Sequence, residues 1–357
     1  MPPPVYSARM GRIDARRRGL TVGLSTLVLT FSGQVMPTSP AAQTKLQSQT
    51  ASLPRTPEGH PDFQGVWVNN NAAPLERPEI LAGRATLTDQ ELAAMKRKAR
   101  ELFGGQGDAA FGDSVFNAVL ANVLGTKSGY TSTDGETGDY GSEWTVERDW
   151  DHRTSLITDP PDGRLPRMTP EGLKRRAASE AALNGVPAGP EDRLLQERCI
   201  TYGSPSMVAG YASAYEIVQA PDTVAVTVEM IHDPRVIPLR APAHLPATFR
   251  RWHGDSRGRW QGDTLVVDTI NYKPGAFMRV SSDQLHVVER FSRSELDILK
   301  YDLTIDDPGT WTRPWSFTLM LRRANHPMYE YACHEGNYGL AGILTGARAQ
   351  ERSAPQR

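Results

Sequence analysis

The sequence predicts a mainly β protein with helical additions (α+β), built as an antiparallel β-barrel or a strongly curved sheet. Three observations carry this expectation. From Ala212 onward apolar residues recur with period two, as in Tyr215-Glu216-Ile217-Val218-Gln219 and Val224-Ala225-Val226-Thr227-Val228. Short strand-like runs follow one another at regular spacing with turn residues between them, which favours a barrel or sandwich over a parallel sheet. Helical signals are confined to insertions at about 88–125 and 169–198.

The first strand is Phe63-Gln64-Gly65-Val66-Trp67-Val68, reached through the turn-rich run Thr56–Asp62. Its Gly65-x-Trp67 pair resembles the opening strand of lipocalin-like barrels, where the Trp closes the barrel floor. Thr88 and Glu91 form a capping box that starts a helix, and Gly104-Gly105 ends it. Leu92, Met95 and Leu102 give that helix a modest apolar stripe, with Lys96, Arg97, Lys98 and Arg100 largely outside it. Asp113–Leu124 reads as a second, more apolar helix, and Gly125–Gly141 as a long loop. Arg153–Thr158 is a short strand running into the turn Asp159-Pro160-Pro161-Asp162-Gly163.

Thr169-Pro170 opens another helix, with Lys174, Arg175 and Arg176 as a solvated face. A further helical piece, Glu191–Glu197, leads to Cys199. Tyr215–Gln219 and Val224–Met230 make a hairpin about Ala220-Pro221-Asp222. Strands are expected at Arg235–Leu239, Thr264–Thr269, His286–Arg293, Leu299–Ile305 and Trp315–Leu321. Turns are expected at Ser256-Arg257-Gly258-Arg259 and Asp306-Asp307-Pro308-Gly309.

A formal net charge of −1 over 357 residues provides no field that would attract nucleic acid or anionic lipid, so nucleic-acid binding is not expected. The start of the chain is different in kind. Arg12 and Arg16-Arg17-Arg18 precede the apolar run Gly19–Phe31, and the small residues Ser39-Pro40-Ala41-Ala42 follow, the parts of a secretory signal. The apolar run is too short for a comfortable membrane span of about 20 residues. Arg16-Arg17 leaves a twin-arginine route open, but the residues after it lack the usual pattern and general secretion is the expectation. The expected organisation is a signal peptide at 1–42, a disordered linker at 43–55, one integrated domain at 56–345 and a disordered tail at 346–357. The mature protein is expected in the periplasm or the medium, with no stable membrane span after signal cleavage. Its oligomeric state is left open.

Export gives the two cysteines a meaning. An isolated pair in an oxidising compartment tends to form a disulfide, and Cys199–Cys333 would close a loop long enough to stabilise by about 4 kcal/mol in the chain-entropy model. The rival role, Cys333 as a nucleophile beside His334, is disfavoured because neighbours in a strand point to opposite faces.

Six of the eight histidines lie between Met230 and Leu340, each close in sequence to carboxylates or arginines. Titratable side chains on a β framework are what an acid–base or polar-ligand pocket requires. His232 and Asp233 precede Pro234, which suggests a strand exit at a barrel mouth. In the strand from His286, alternation puts His286 with Arg290 and sets Glu289 on the opposite face. In Tyr331-Ala332-Cys333-His334-Glu335-Gly336-Asn337-Tyr338, a disulfide would hold His334 or Glu335 rigidly at the barrel edge. The candidates for proton transfer are therefore His232, Asp233, His286, His334 and Glu335. Arg235, Arg290, Tyr331 and Tyr338 are the candidates for holding substrate. Asp255 and Arg257 read as a structural ion pair within a turn. The sequence lacks His-Glu-x-x-His, a phosphate-binding glycine loop, a Gly-x-Ser-x-Gly elbow and Cys-x-x-Cys, so neither a metal nor a cofactor is expected.

The blocks Pro61-Asp62-Phe63-Gln64-Gly65-Val66-Trp67, Thr154–Arg164, Glu229-Met230-Ile231-His232-Asp233, Gly262–Thr269 and Tyr331–Tyr338 are similar to those of a large family of exported bacterial proteins described only as hypothetical. The resemblance spans nearly all of the mature chain. It implies export and one integrated fold, and it implies no activity. The leading expectation is a cofactor-independent lyase, isomerase or hydrolase acting on a small, largely apolar organic molecule. The alternative is a non-catalytic binder or carrier of such a ligand.

Overall fold

The computed structural model describes residues 53–104, 110, 112–131, 146–240 and 243–353. The expected signal peptide, most of the expected linker and much of the expected loop after Gly125 lie outside the described residues. Ten strands are present: β1 (Gly65–Val68), β2 (Ile157–Asp159), β3 (Ala214–Ala220), β4 (Thr223–Val228), β5 (Asp233–Pro238), β6 (Asp255–Gln261), β7 (Thr264–Ile270), β8 (His286–Glu295), β9 (Ile298–Asp306) and β10 (Trp315–Arg323). With them come α1 (Asp89–Phe103), α2 (Asp113–Val123), α3 (Pro170–Asn184) and α4 (Tyr338–Ser353). The strands pair antiparallel in the order β5-β4-β3-β1-β10-β9-β8-β7-β6, with β2 added against β10. The two end strands approach each other, so the sheet forms a nearly closed barrel, as the sequence predicts.

Alternation decides which side chains enter the barrel. Val287, Glu289 and Phe291 of β8 are buried, as are Leu299, Tyr301, Leu303 and Ile305 of β9 and Trp315, Phe317, Leu319 and Leu321 of β10. The apolar and aromatic ones join one core cluster with Phe63, Trp67 and Tyr215, and Phe291 stacks on Tyr301 with ring centroids 4.2 Å apart. Trp67 is fully buried, its Nε1 donates to the Phe63 carbonyl at 2.8 Å, and the Arg293 and Arg323 guanidinium carbons lie 5.4 and 5.5 Å from its ring. Arg323 also explains Gly65. At φ +111° this position suits glycine, and a Cβ there would come within 3.1 Å of Arg323 Nη2.

The polar groups of the interior answer one another. Arg235 of β5 reaches across to Glu289 of β8, donating from Nη2 to Oε1 at 2.7 Å and from Nη1 to the other carboxylate oxygen. Burial opposes the Arg235 charge, but the adjoining carboxylate outweighs it and raises the guanidinium pKa above its ordinary value. The Tyr301 hydroxyl donates to the same carboxylate, and the Tyr215 hydroxyl donates to the Ser206 carbonyl at 2.8 Å. Burial raises the pKa of the Tyr215, Tyr272 and Tyr301 hydroxyls, so these phenols stay neutral.

The structure corrects four sequence expectations. Ser256–Arg259 is not a turn but the middle of β6, and the turn lies at Gly262-Asp263, between the paired residues Gln261 and Thr264. Gly258 gave the misleading signal. It sits where β6 meets β5, and a Cβ there would approach Leu239 to 2.6 Å and Ile237 to 2.9 Å. The helical piece at 191–197 reduces to a 3-10 turn at Pro190–Asp192 followed by irregular turns. The end of the expected linker is anchored, because Arg55 pairs with Asp263 at the β6–β7 turn, Nη2 to Oδ2 at 2.7 Å. Finally, α4 continues to Ser353, so the chain stays ordered well past the expected domain end at 345; of the expected tail, 354–357 lie outside the described residues.

The expected turn at Asp306–Gly309 is present and well secured. Asp307 accepts from the Ser282 amide and the Thr310 hydroxyl, each at 2.7 Å. Arg175, expected on a solvated face, instead ties α3 to this corner, donating to the Val280 carbonyl at 3.0 Å and to Thr310 Oγ1 at 2.8 Å.

Removing one member of the interior ion pair leaves a buried charge without its partner. Glu289→Leu is therefore expected to lower unfolding free energy by about 3–5 kcal/mol, and Arg235→Met/Glu289→Leu to recover most of that loss. Urea unfolding of the three proteins measures both effects. A double variant no more stable than the single would contradict this account of the pair.

Candidate functional site

The residues expected to share one site do not do so. At one end of the barrel β5, β6 and β8 begin and β7 ends, which brings Asp233 and His286 to the same rim. They serve different surfaces there. Asp233 lies on the inward alternation of β5, with Arg235 and Ile237, and its carboxylate meets Nε2 of His253. His286 and Arg290 lie on the outer wall, and Arg290 is exposed with Nη1 3.1 Å from Gln261 Oε1. Alternation separates His286 from Glu289 as expected. It is Glu289, however, that faces the interior, because Val287 and Phe291 make that side of β8 the apolar one.

His232 is exposed in left-handed backbone at φ 47°, its Nδ1 3.4 Å from the Tyr331 carbonyl oxygen. That contact brings it near the second cysteine segment. The Cys199 and Cys333 sulfurs are 2.08 Å apart and form the expected disulfide. His334, Glu335 and Tyr338 are exposed beside it, and Tyr331 is half-buried. A shallow depression of about 570 Å³ borders the disulfide and includes Tyr331 and Glu335 among its walls. His232, His286 and His334 therefore form no common pocket, and Arg235 is committed to the interior ion pair. A residue-by-residue sequence reading cannot foresee this, because period-two alternation gives two faces without saying which is outside.

The outer wall holds a chain of titratable groups that sequence spacing does not reveal. His244 stands between two carboxylates, with Nδ1 3.1 Å from Asp255 Oδ2 and Nε2 2.9 Å from Asp268 Oδ1. His286 Nε2 contacts the other Asp268 oxygen at 2.8 Å. Asp255 also accepts from the Leu245 amide and from Arg257 Nη1, each at 2.8 Å. The expected Asp255–Arg257 ion pair therefore exists, on a strand instead of in a turn. Burial alone would raise both carboxyl pKa values. For Asp255 the hydrogen bonds from the Leu245 amide, Arg257 and His244 prevail, for Asp268 those from His286 and His244, and both are held below their ordinary value. Asp268 fixes the His286 ring, and His286 Nδ1 makes no hydrogen bond among the described residues. An imidazole held this way is suited to proton transfer. Among the described residues no group of three or more His, Cys, Asp or Glu side chains could hold a metal ion.

The cavity of interest lies elsewhere, in the first helical insertion. α1 and α2 pack on each other through Met95, Phe116, Val119 and Leu120, with Trp150 against Phe116. Between them, the segment Val146–Trp150 and β10 lies a cavity of about 560 Å³. One face of α1 lines it with Lys96, Ala99, Arg100 and Phe103, residues spaced three or four apart along the helix. Val115 and Trp150 add apolar wall, and Arg322 of β10 closes one side with Nε 2.7 Å from Asp149 Oδ1. Lys96 and Arg100 looked like ordinary solvated charges in the sequence. Only the folding of 146–150 against α1 gives their face a partner.

Arg148 is the exceptional residue of this wall. It is 7% exposed, and its Nη1 reaches the Asn71 carbonyl at 3.3 Å while its Nη2 has no hydrogen-bond partner among the described residues. Desolvation lowers its pKa to about 10, against the opposing pull of Asp113 and Asp149. Comparison with protein-family models, curated proteins and solved structures finds no match to this chain.

The outer-wall network yields a pH dependence. Asp255 and Asp268 have folded pKa values below the ordinary 3.8, so their contribution is complete above that pH and is lost as pH falls through the lower folded values. Asp268→Asn is expected to be less stable than the parent by about 1–3 kcal/mol near neutrality, and the gap to narrow at about pH 3. Urea midpoints at the two pH values measure this. A gap that stays constant would show that Asp268 contributes nothing through its charge.

Proposed function

We propose that the protein binds a small, largely apolar organic molecule in the cavity between α1, α2 and β10. The observation that carries this reading is the cavity itself, about 560 Å³ in volume and walled by Phe103, Val115 and Trp150 together with six charged side chains. Pockets that hold small organic ligands have this size and combine apolar wall with polar groups that fix orientation. Covering about 300 Å² of apolar ligand surface contributes about 7 kcal/mol, much of which is offset by the entropy lost on association. A purely apolar ligand would therefore bind weakly. Export to the periplasm or medium remains part of the proposal, and the Cys199–Cys333 bond supports it because disulfides persist in oxidising compartments.

A second reading, acid–base catalysis, is favoured by one separate observation: the Asp268 carboxylate orients His286 at a half-exposed position. The described cavity is not built around that dyad, so binding is the better supported role. The dyad would act only on a molecule bound at the barrel's outer wall.

Titration with the neutral fluorophore N-phenyl-1-naphthylamine tests the binding reading. Saturable fluorescence enhancement is expected, and Ala99→Phe, which places a ring in the cavity, should weaken binding about tenfold or more, since it removes space for an apolar group worth several methylenes. Equal binding by parent and Ala99→Phe at unchanged thermal stability would move the site elsewhere.

A further inference from the structure

We infer that the ligand of this cavity is an organic anion, a carboxylate on an aromatic or aliphatic body, and this inference rests on the binding role proposed above. Charge is the first ground. The walls carry four cations, Lys96, Arg100, Arg148 and Arg322, against two carboxylates, Glu147 and Asp149. The Asp149 carboxylate is engaged by Arg322. Lys96 and Arg100, one turn apart on α1, make no ion pair among the described residues. With the Arg322–Asp149 pair set aside, three cations, Lys96, Arg100 and Arg148, stand against the single carboxylate Glu147 among the described lining residues, so the cavity is net positive.

The second ground is independent of exposed charge. Arg148 lies in the wall, more than nine-tenths buried, with a guanidinium nitrogen that has no partner among the described residues. Leaving a charged donor buried and unsatisfied costs free energy, so the fold maintains this group at a loss. Gly210 leaves room for it. Gly210 has φ +79°, and a Cβ there would fall 2.4 Å from the guanidinium carbon of Arg148. A wall that leaves space for a buried, incompletely neutralised cation raises the potential in the adjoining cavity.

Shape and chemistry then agree. A carboxylate can lie between Lys96 and Arg100 in the field of Arg148, while the rest of the molecule covers Phe103, Val115 and Trp150. A charge-assisted hydrogen bond adds what apolar burial alone lacks. The contact is non-covalent and requires no co-reactant.

A matched pair of probes decides the matter, with 2-naphthoate and 2-naphthalenemethanol each competing against N-phenyl-1-naphthylamine on the full protein. Naphthoate is expected to bind about tenfold or more tightly than the alcohol at low salt, with the preference shrinking as ionic strength rises. Lys96→Gln/Arg100→Gln, at positions that are not fully buried, should shrink that preference to about threefold or less, chiefly by weakening naphthoate. Equal affinities in the parent would overturn the anion inference and leave the binding role intact. A preference undiminished by the double substitution would show that Lys96 and Arg100 do not hold the anion, and would also overturn it. Failure of every probe to bind would instead overturn the binding role itself.

Discussion

The Arg235–Glu289 ion pair is the constraint on which the barrel's architecture turns. It joins β5, at one end of the sheet, to β8, the third strand from the other end, through the interior. Nothing in the ladder hydrogen bonds holds these strands together. A buried pair of this kind contributes modest net stability compared with a well-packed apolar replacement, but it tolerates very few alternatives. Its donors and acceptors are satisfied only when β5 has come round to face β8, so it selects the rolled sheet over a flat one. The Tyr301 hydroxyl completes the carboxylate's hydrogen bonding, and the aromatic packing of Phe291 and Tyr301 surrounds it.

With the interior occupied in this way, places for a ligand lie outside the barrel, and the insertions provide them. α1 and α2 form a small core of their own, and the segment before Trp150 binds that core to the sheet through Asp149, whose amide donates to the Asn70 carbonyl while its carbonyl accepts from the Ala72 amide. The cavity is the gap left where these two packing units meet. The histidines follow a different logic. His244 bridges Asp255 and Asp268, pinning the segment before β6 to the outer wall, and His253 meets Asp233 where β5 and β6 begin. Most of the rim's histidine chemistry is thus taken up by holding elements together, with His286 retaining a free ring nitrogen.

The fold is legible in the sequence where local chemistry and tertiary burial agree. The Thr88–Glu91 capping box, the Thr169-Pro170 start and the period-two runs at β3, β4, β8, β9 and β10 all stand where their residues indicate. β6 was hidden because Ser256, Gly258 and two arginines carry no strand signal, and Gly258 is required by the closeness of another strand instead of by a turn. The site was much less legible. Proximity along the chain suggested a histidine centre, whereas the fold sends His232, His286 and His334 to separate places. The cavity draws its walls from residues near 100, 148 and 322, and no local pattern foretells such a meeting. The disulfide was predictable because only one pairing of two cysteines is possible.

The meeting of β5 and β6 has a mechanical meaning. Every other neighbouring pair in the circuit is laced by backbone hydrogen bonds, but along this line side chains alone make the join. β5 carries Pro234 and Pro238, which suit a strand with no partner to serve on that side. The barrel therefore resembles a hoop with a clasp. Asp233–His253 fastens the clasp at the rim, and Arg235 braces it from within. Neither end strand is left as a bare template for another chain, because each shelters the other. The circuit can also loosen at this line without breaking a single ladder bond, which makes the seam the natural place for the barrel to yield.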